Sequence, residues 1–317
     1  MELPIEFRNI TEELASGIPV KQLISAANAI SERYRNEAAS GKPLITNDTE
    51  AAAYAIVRMP ATIGASGNAM QYAADRYDGE ITSVLDIGAG TGACSWAAWQ
   101  IFPDIKKITC LEREKSMIEF GSKLMEKGDF PFECQWISCD ITEGFNMKSD
   151  LVTASYVLNE MPEKMQEKLV SAMWNATEKM LIIIEPGTPK GYKNILRIRE
   201  QLIKNGAHIL APCPHSDKCP LPEDDWCHFT ARVSRTKLHK QLKGGDVPYE
   251  DEKFCYIAAV RDECNPCVMR VLRHPRIESG KITLRLCTGD GITEKTVTKK
   301  DGTLFKKARK ADCGDEL

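Results

Sequence analysis

The chain has 317 residues, 43% of them hydrophobic and 27% charged, with a formal net charge of −3, so it can hold one large domain or two modest ones around a real core. The near-neutral balance gives no global reason to expect nucleic acid, and any such role must rest on local patches. No apolar run approaches the roughly 20 residues that cross a bilayer, and the start, Met1 to Phe7, has neither the basic nor the long apolar segment of an export signal; the expectation is a cytoplasmic protein with no membrane partner.

Residues 1–78 read as a helical region. Apolar residues recur at helical spacing over 20–34, and alanines crowd 49–58. Met59-Pro60 predicts an interruption, with another short helix over 70–77. From Ile81 the texture changes, and residues 79–210 alternate between two kinds of element. Strands are expected over 81–87, 107–111, 132–137, 150–156 and 180–184, and helices over 93–101, 115–127, 162–179 and 192–205. That alternation predicts an α/β fold with a parallel, doubly wound sheet. Residues 211–228 are rich in Pro, Cys, His and Asp, with too few apolar residues for an element of their own. A strand over 253–260 is expected to return to the main sheet and closes a third region, 211–262. In the last region, 263–317, apolar and polar residues alternate over 268–310 with glycines at 280, 289, 291 and 302, which predicts a small antiparallel β unit.

The first strand ends in Asp86-Ile87-Gly88-Ala89-Gly90-Thr91-Gly92 and a helix follows. Glycines let backbone approach a ligand closely and take conformations that side chains forbid. The spacing differs from the dinucleotide fingerprint, and the Lys-Ser/Thr of a phosphate loop is missing. An acid just before the glycines disfavours a pyrophosphate and suits a ligand with an ammonium group. Glu112 ends the second strand, where a carboxylate can accept both ribose hydroxyls, and Asp140 closes the third, where it can receive an adenine amino group; Asp140 alone also reads as a turn residue. Asp86, Gly88, Gly90, Gly92, Glu112 and Asp140 together predict an S-adenosylmethionine site in a Rossmann-like class I methyltransferase sheet. Methyl transfer is an in-line displacement that positioning can accelerate without an obligatory acid or base. Candidates beside the methyl group are Ser155, Tyr156, Asn159 and Glu160 after the fourth strand and Glu185 after the fifth, although Asn159-Glu160 equally suits a helix start. The Asn/Asp-Pro-Pro-Tyr motif of amino-group methyltransferases is not present.

Twelve cysteines are many for a reducing compartment. Cys94, Cys110, Cys134 and Cys139 fall in or beside apolar stretches and read as small core residues. Cys213, Cys219 and Cys227, with His215 and His228 alongside, crowd a loop that has no core of its own. Such loops hold zinc or an iron–sulfur cluster, where ligand bonds substitute for burial. By spacing, the fourth ligand is Cys264 or Cys267; Cys287 in the apolar stretch 282–287 is a further choice. Two basic runs flank this region: Arg232, Arg235, Lys237, Lys240 and Lys243, then Lys299, Lys300, Lys306, Lys307, Arg309 and Lys310. They suit phosphates or simply a solvated face.

Over most of its length the chain resembles the methyltransferase-like assembly factors of the mitochondrial small ribosomal subunit and their bacterial homologues. The likeness runs through Arg58-Met-Pro-Ala-Thr62, Val84 to Gly92, Glu185-Pro-Gly-Thr-Pro189, Ala211-Pro-Cys-Pro-His215, Asp225-Trp-Cys-His-Phe229, Arg232-Val-Ser-Arg-Thr-Lys237, Leu286-Cys-Thr288 and Lys307-Ala-Arg-Lys310. The resemblance implies a 4Fe-4S cluster on Cys213, Cys219, Cys227 and Cys287, and binding to small-subunit ribosomal RNA or the pre-ribosomal small subunit. Where the family's C-terminal motif has a tryptophan before Gly-Asp, this chain has Cys313-Gly314-Asp315. Two functions compete: a methyltransferase of ribosomal RNA, and a non-catalytic assembly factor that keeps the fold as an RNA-binding scaffold. A small-molecule methyltransferase with a zinc site is a third.

Overall fold

The computed structural model describes residues 3–36 and 43–317; residues 1–2 and 37–42 of the expected helical region lie outside the described residues. Four helices come first: α1 (Ile5–Ala15), α2 (Val20–Asn36), α3 (Asp48–Val57) and α4 (Met59–Ala74). Helix α2 buries Leu23, Ala26, Ala27 and Ile30, the i, i+3, i+4, i+7 stripe of a helix with one face on a core. Helix α3 starts at Asn47, whose side chain accepts the Glu50 N–H at 3.0 Å. The interruption expected at Met59-Pro60 falls at Arg58, between α3 and α4, but no non-helical segment follows it. Pro60 sits in the first turn of α4, where its missing N–H has no intrahelical partner to lose. The helix then runs unbroken to Ala74. Gly64 within it is a contact point, because a Cβ there would meet Val233 Cγ1 at 2.5 Å.

The α/β part follows as β1 (Ser83–Ile87), α5 (Ala93–Ile101), β2 (Lys107–Glu112), α6 (Lys115–Lys127), β3 (Glu133–Ser138), β4 (Ser149–Ser155), α7 (Glu163–Ala176), β5 (Thr177–Pro186), α8 (Pro189–Lys204), β6 (His208–Ala211), β7 (Phe229–Ser234), α9 (Lys237–Lys243) and β8 (Tyr249–Val260). The sheet order is β3-β2-β1-β4-β5-β8-β6, with β7 also on β8. Strands β1 to β5 are parallel, whereas β8 runs antiparallel to β5, β6 and β7. This is a class I methyltransferase-like Rossmann sheet, and its last edge corrects the expectation of a wholly parallel one.

Both faces of the sheet are covered, which is why the strands read as continuous apolar runs. On β5, Met180, Ile182 and Ile184 enter one core with α1 to α6, while Leu181 and Ile183 enter the other with α7 and α8. The period of two assigns them. Strands β6 and β7, unforeseen in the sequence, share one edge of β8: Ala211 pairs with Ala258 and Phe229 with Phe254. Residues 212–228 are therefore an excursion within one interrupted edge strand.

The C-terminal unit is a four-stranded antiparallel sheet of β9 (Met269–Val271), β10 (Arg276–Glu278), β11 (Lys281–Thr288) and β12 (Gly291–Thr298), with α10 (Thr303–Ala308) after it. Its small core holds Val271, Ile282, Leu284, Leu286, Val297 and Ala308. Among the described residues, no helix is long and apolar enough to cross a membrane.

Candidate functional site

The parallel strands reverse their order of addition between β1 and β4, and open α/β sheets bind ligands in the crevice at such a switch point. A cavity of about 480 Å³ lies there, with Gly88, Gly90, Glu112, Asp140 and Glu160 in its wall. Gly88 and Gly90 hold φ of +64° and +58°, the left-handed region that glycine enters without penalty. Glu112 is oriented by backbone: Gly90 N–H donates to Oε2 at 2.9 Å, and the N–H groups of Arg113 and Glu114 donate to Oε1 at 2.7 and 2.9 Å. Burial nevertheless pushes its pKa up. Asp140 accepts the Thr142 N–H and hydroxyl at 2.9 and 2.7 Å, bonds that hold its carboxyl below the usual range. It is thus a turn residue and a wall residue at once.

Of the remaining expected residues, Ser155 and Tyr156 also line the cavity, whereas Asp86, Gly92, Asn159 and Glu185 stand outside its wall. Asp86 is 1% exposed beneath the loop, where Ser95 and Thr153 hydroxyls donate to its two oxygens at 2.9 and 2.8 Å; burial lifts its pKa to about 6. Gly92 begins α5. Asn159 contributes its backbone N–H to Glu185 Oε1 at 3.3 Å. Glu185 is fully buried, with Asn194 Nδ2 at 3.4 Å as a second donor, and burial raises its pKa to about 7. Glu160 does face the cavity, and burial, with the charges of Glu114 and Glu112 adding to it, raises its pKa to about 8. A carboxyl so tuned holds its proton at neutral pH and can act as a donor there.

Sequence reasoning missed one side of the cavity. Tyr34, Tyr54, Arg58 and Thr62 reach it from the N-terminal helices. Tyr34 and Tyr54 stack with centroids 6.4 Å apart, and the Arg58 guanidinium lies 5.8 Å from the Tyr34 ring. The Leu44 and Ile45 N–H groups fasten this layer to Glu114 at 2.9 and 3.0 Å. Tyr156, with φ +62°, donates its hydroxyl to Glu252 at 2.9 Å. Only the segment 58–62 gave a local hint of this wall; an aromatic residue on a helix carries none.

The cysteine excursion closes a second, smaller chamber of about 40 Å³. Cys213, Cys219, Cys227 and Cys287 all line it. Cys287 arrives on β11, and its Sγ lies 3.8 Å from His215 Nε2; the Tyr192 hydroxyl is 3.1 Å from Cys219 Sγ. Cys264 and Cys267, favoured by spacing, do not line the chamber and instead direct their thiols at the Ile209 and Pro212 carbonyls at 3.6 and 3.7 Å. Salt bridges tie the excursion to the β unit, since Asp225 takes both Arg273 and Arg285. Among the described residues, no three Cys, His, Asp or Glu side chains are drawn together closely enough to chelate one metal ion, so the thiols surround a space and not a point.

The two basic runs differ. Arg232 grips Asp251 through two bonds of 2.6 Å, and Arg235 and Lys243 both meet Glu250. Lys299, Lys300, Lys306, Lys307, Arg309 and Lys310 are all exposed, and none of them enters an ion pair among the described residues.

The profile of the family described as "Mitochondrial small ribosomal subunit Rsm22" matches residues 48–317. The chain belongs to the Rsm22 family. Among its curated relatives is the human "Ribosome assembly protein METTL17, mitochondrial", 25% identical over 260 residues, covering 74% of this chain and 55% of that protein. Another is the fission-yeast (Schizosaccharomyces pombe) "Rsm22-cox11 tandem protein 2, mitochondrial", 22% identical over 284 residues, covering 73% of this chain and 38% of that one. The chain thus spans about half or less of these Rsm22-family relatives. Among solved structures, the magnesium protoporphyrin IX methyltransferase of Synechocystis PCC 6803 with bound SAH aligns at a TM-score of 0.42 and 13% identity, over 75% of this chain and all of that one.

Proposed function

We propose that the chain binds S-adenosylmethionine at the switch-point cavity and acts on, or binds, small-subunit ribosomal RNA during ribosome assembly. The observation that carries this reading is the single cavity in which positive-φ glycines, Glu112 and Asp140 converge. The fit is good: the glycines expose bare backbone, and a Cβ on Gly88 would come within 2.6 Å of Val157 Cγ2. Glu112 would take the ribose hydroxyls, Asp140 the adenine amino group, and Asp86 would stiffen the loop from below. The bound nucleoside supplies an electrophilic methyl group. Glu160, in the cavity wall, is able to hold or release a proton, Glu185 is a buried acid behind it, and the Tyr34–Tyr54 wall excludes water from one side. Assembly of a small ribosomal subunit enters from the names of the Rsm22 family and its human member. A cytoplasmic location and the division at 78, 210 and 262 belong to the same proposal, while the named relatives are mitochondrial.

The second part of the proposal is a 4Fe-4S cluster on Cys213, Cys219, Cys227 and Cys287. These four thiols, with Cys255 as a fifth whose Sγ donates to the Cys227 carbonyl at 3.0 Å, line a chamber whose wall has no carboxylate, which suits a soft, thiolate-bound centre. Thiols spaced around a chamber also favour a cluster, with one thiolate per iron, over a lone zinc ion. Anaerobic purification should yield a brown protein with about four irons, lost in Cys219→Ser; a colourless zinc protein would overturn this part. Labelled methyl transfer to small-subunit RNA tests the enzyme reading, and bound nucleoside without transfer would leave the scaffold.

A further inference from the structure

We propose that Arg199 and Arg270 are the counter-ions of an anionic, thiolate-bound metal group in the four-cysteine chamber and that they set its reduction potential. The inference rests on the metal reading above.

Both guanidiniums line the chamber, and they are only 3% and 1% exposed. Arg199, on α8, donates from Nη2 to the His215 carbonyl at 2.7 Å. Its Nε is buried without a hydrogen-bond partner, and no ion pair of Arg199 is found among the described residues. Arg270, on β9, donates from Nε to the Pro212 carbonyl at 3.0 Å and from Nη1 to the Gly314 carbonyl at 2.7 Å. Its Nη2 stands 3.5 Å from Glu316 Oε1, an ion-pair separation without a hydrogen bond. That carboxylate is shared with Arg76.

Arginine does not shed its proton in proteins. A buried cation without an answering charge is costly, and natural folds pair it. Here two such cations face one apolar chamber, with a single shared carboxylate behind one of them. The wall also holds the phenols of Tyr192 and Tyr256, which burial keeps protonated, so the missing negative charge falls to the thiols. Four thiolates around a doubly charged metal core carry a net charge of about −2, which two guanidiniums balance. Pro212 and His215 flank Cys213, so both arginines also fix the backbone that presents that ligand. This makes them positioning residues of the metal group.

The test uses the full chain, reconstituted anaerobically, with iron and sulfide counted and the midpoint potential taken by spectroelectrochemical titration. Reduction adds negative charge, which the cations favour. Arg199→Gln should therefore lower the reduced-to-oxidised ratio at a fixed potential about tenfold, a shift of ~59 mV for one electron. Arg199→Lys keeps the charge and should recover most of it, which separates charge from packing. Arg270→Gln should shift in the same direction. Unchanged midpoints in both Gln variants at full iron content would overturn the counter-ion role and leave the cluster standing. If the parent takes up zinc in place of iron, chelator competition becomes the readout: tenfold weaker zinc binding in the Gln variants supports the role, and equal binding refutes it. A parent that binds neither metal overturns the metal reading and the counter-ion role with it.

Discussion

Replacing Glu185 by glutamine is expected to make the chain more stable in alkali than in acid, relative to the parent. The Glu185 side chain is fully buried, and the Asn159 N–H and Asn194 Nδ2 approach its oxygens at 3.3 and 3.4 Å. Burial raises its pKa to about 7, whereas an unfolded chain titrates near 4.3. The fold thus prefers the protonated acid. Its contribution is fully present below the unfolded value and is lost as pH rises through about 7. Each tenfold change in proton activity between those values costs about 1.4 kcal/mol, so the parent should lose ~2.5 kcal/mol between pH 5 and 8.5 on this account. Glutamine, similar in shape to the protonated acid and unable to ionise, loses none of it. Urea unfolding of parent and Glu185→Gln at both pH values gives the difference directly, because the other titrating groups cancel. A parent-minus-variant gap that stays constant with pH would refute the reasoning and mean that Glu185 is hydrated or paired.

Glu112→Gln should weaken binding of S-adenosylmethionine or its demethylated product by ~1.5–3 kcal/mol, the worth of hydrogen bonds to a charged group; calorimetry checks it, and an unchanged affinity would remove Glu112 from the site. Gly88→Ala combines a positive φ with a 2.6 Å approach to Val157 and should cost ~1–3 kcal/mol in denaturant unfolding, as well as nucleoside binding; a neutral result would mean that the loop relaxes freely. Changing Lys299, Lys300, Lys306 and Lys307 to Gln should flatten the salt dependence of RNA binding by ~0.7–0.9 in log–log slope per lost phosphate contact. Arg232→Gln and Lys243→Gln, which remove cations already paired with carboxylates, should leave that slope alone. Equal effects of the two sets would erase the distinction drawn between the basic runs.

The parallel half of the fold was legible because β1, β2, β4 and β5 are buried on both faces and each is followed by a helix, whereas β3 is a half-exposed edge strand that reaches β4 through a loop. The break at Met59-Pro60 was legible; what escaped was that α4 begins there at once, because proline is harmless in a first helical turn and a linear pattern does not show where that turn begins. Strands β6 and β7 escaped notice for another reason. They are short, and the residues between them belong to a different structural purpose. At the cavity, Glu112 and Asp140 could be found because Glu112 ends β2 and Asp140 follows β3 by two residues, whereas Tyr34 and Tyr54 sit on helices whose docking is a tertiary event. Cysteine spacing pointed to Cys264 and Cys267, yet the chain folds Cys287 into the chamber wall from a separate sheet. Distance along a sequence says little about ligands that arrive from another unit.

The split in the edge strand bears on how freely the excursion can vary. The excursion leaves the sheet opposite Ala258 and rejoins it opposite Phe254, points about 13 Å apart at the usual rise of a strand. Both ends are anchored to the same strand, and β5 pairs with the opposite edge of β8, so the pairing of β5 with β8 does not depend on residues 212–228. The sequence between the two ends can then vary without unpairing the main sheet, including the switch point between β1 and β4.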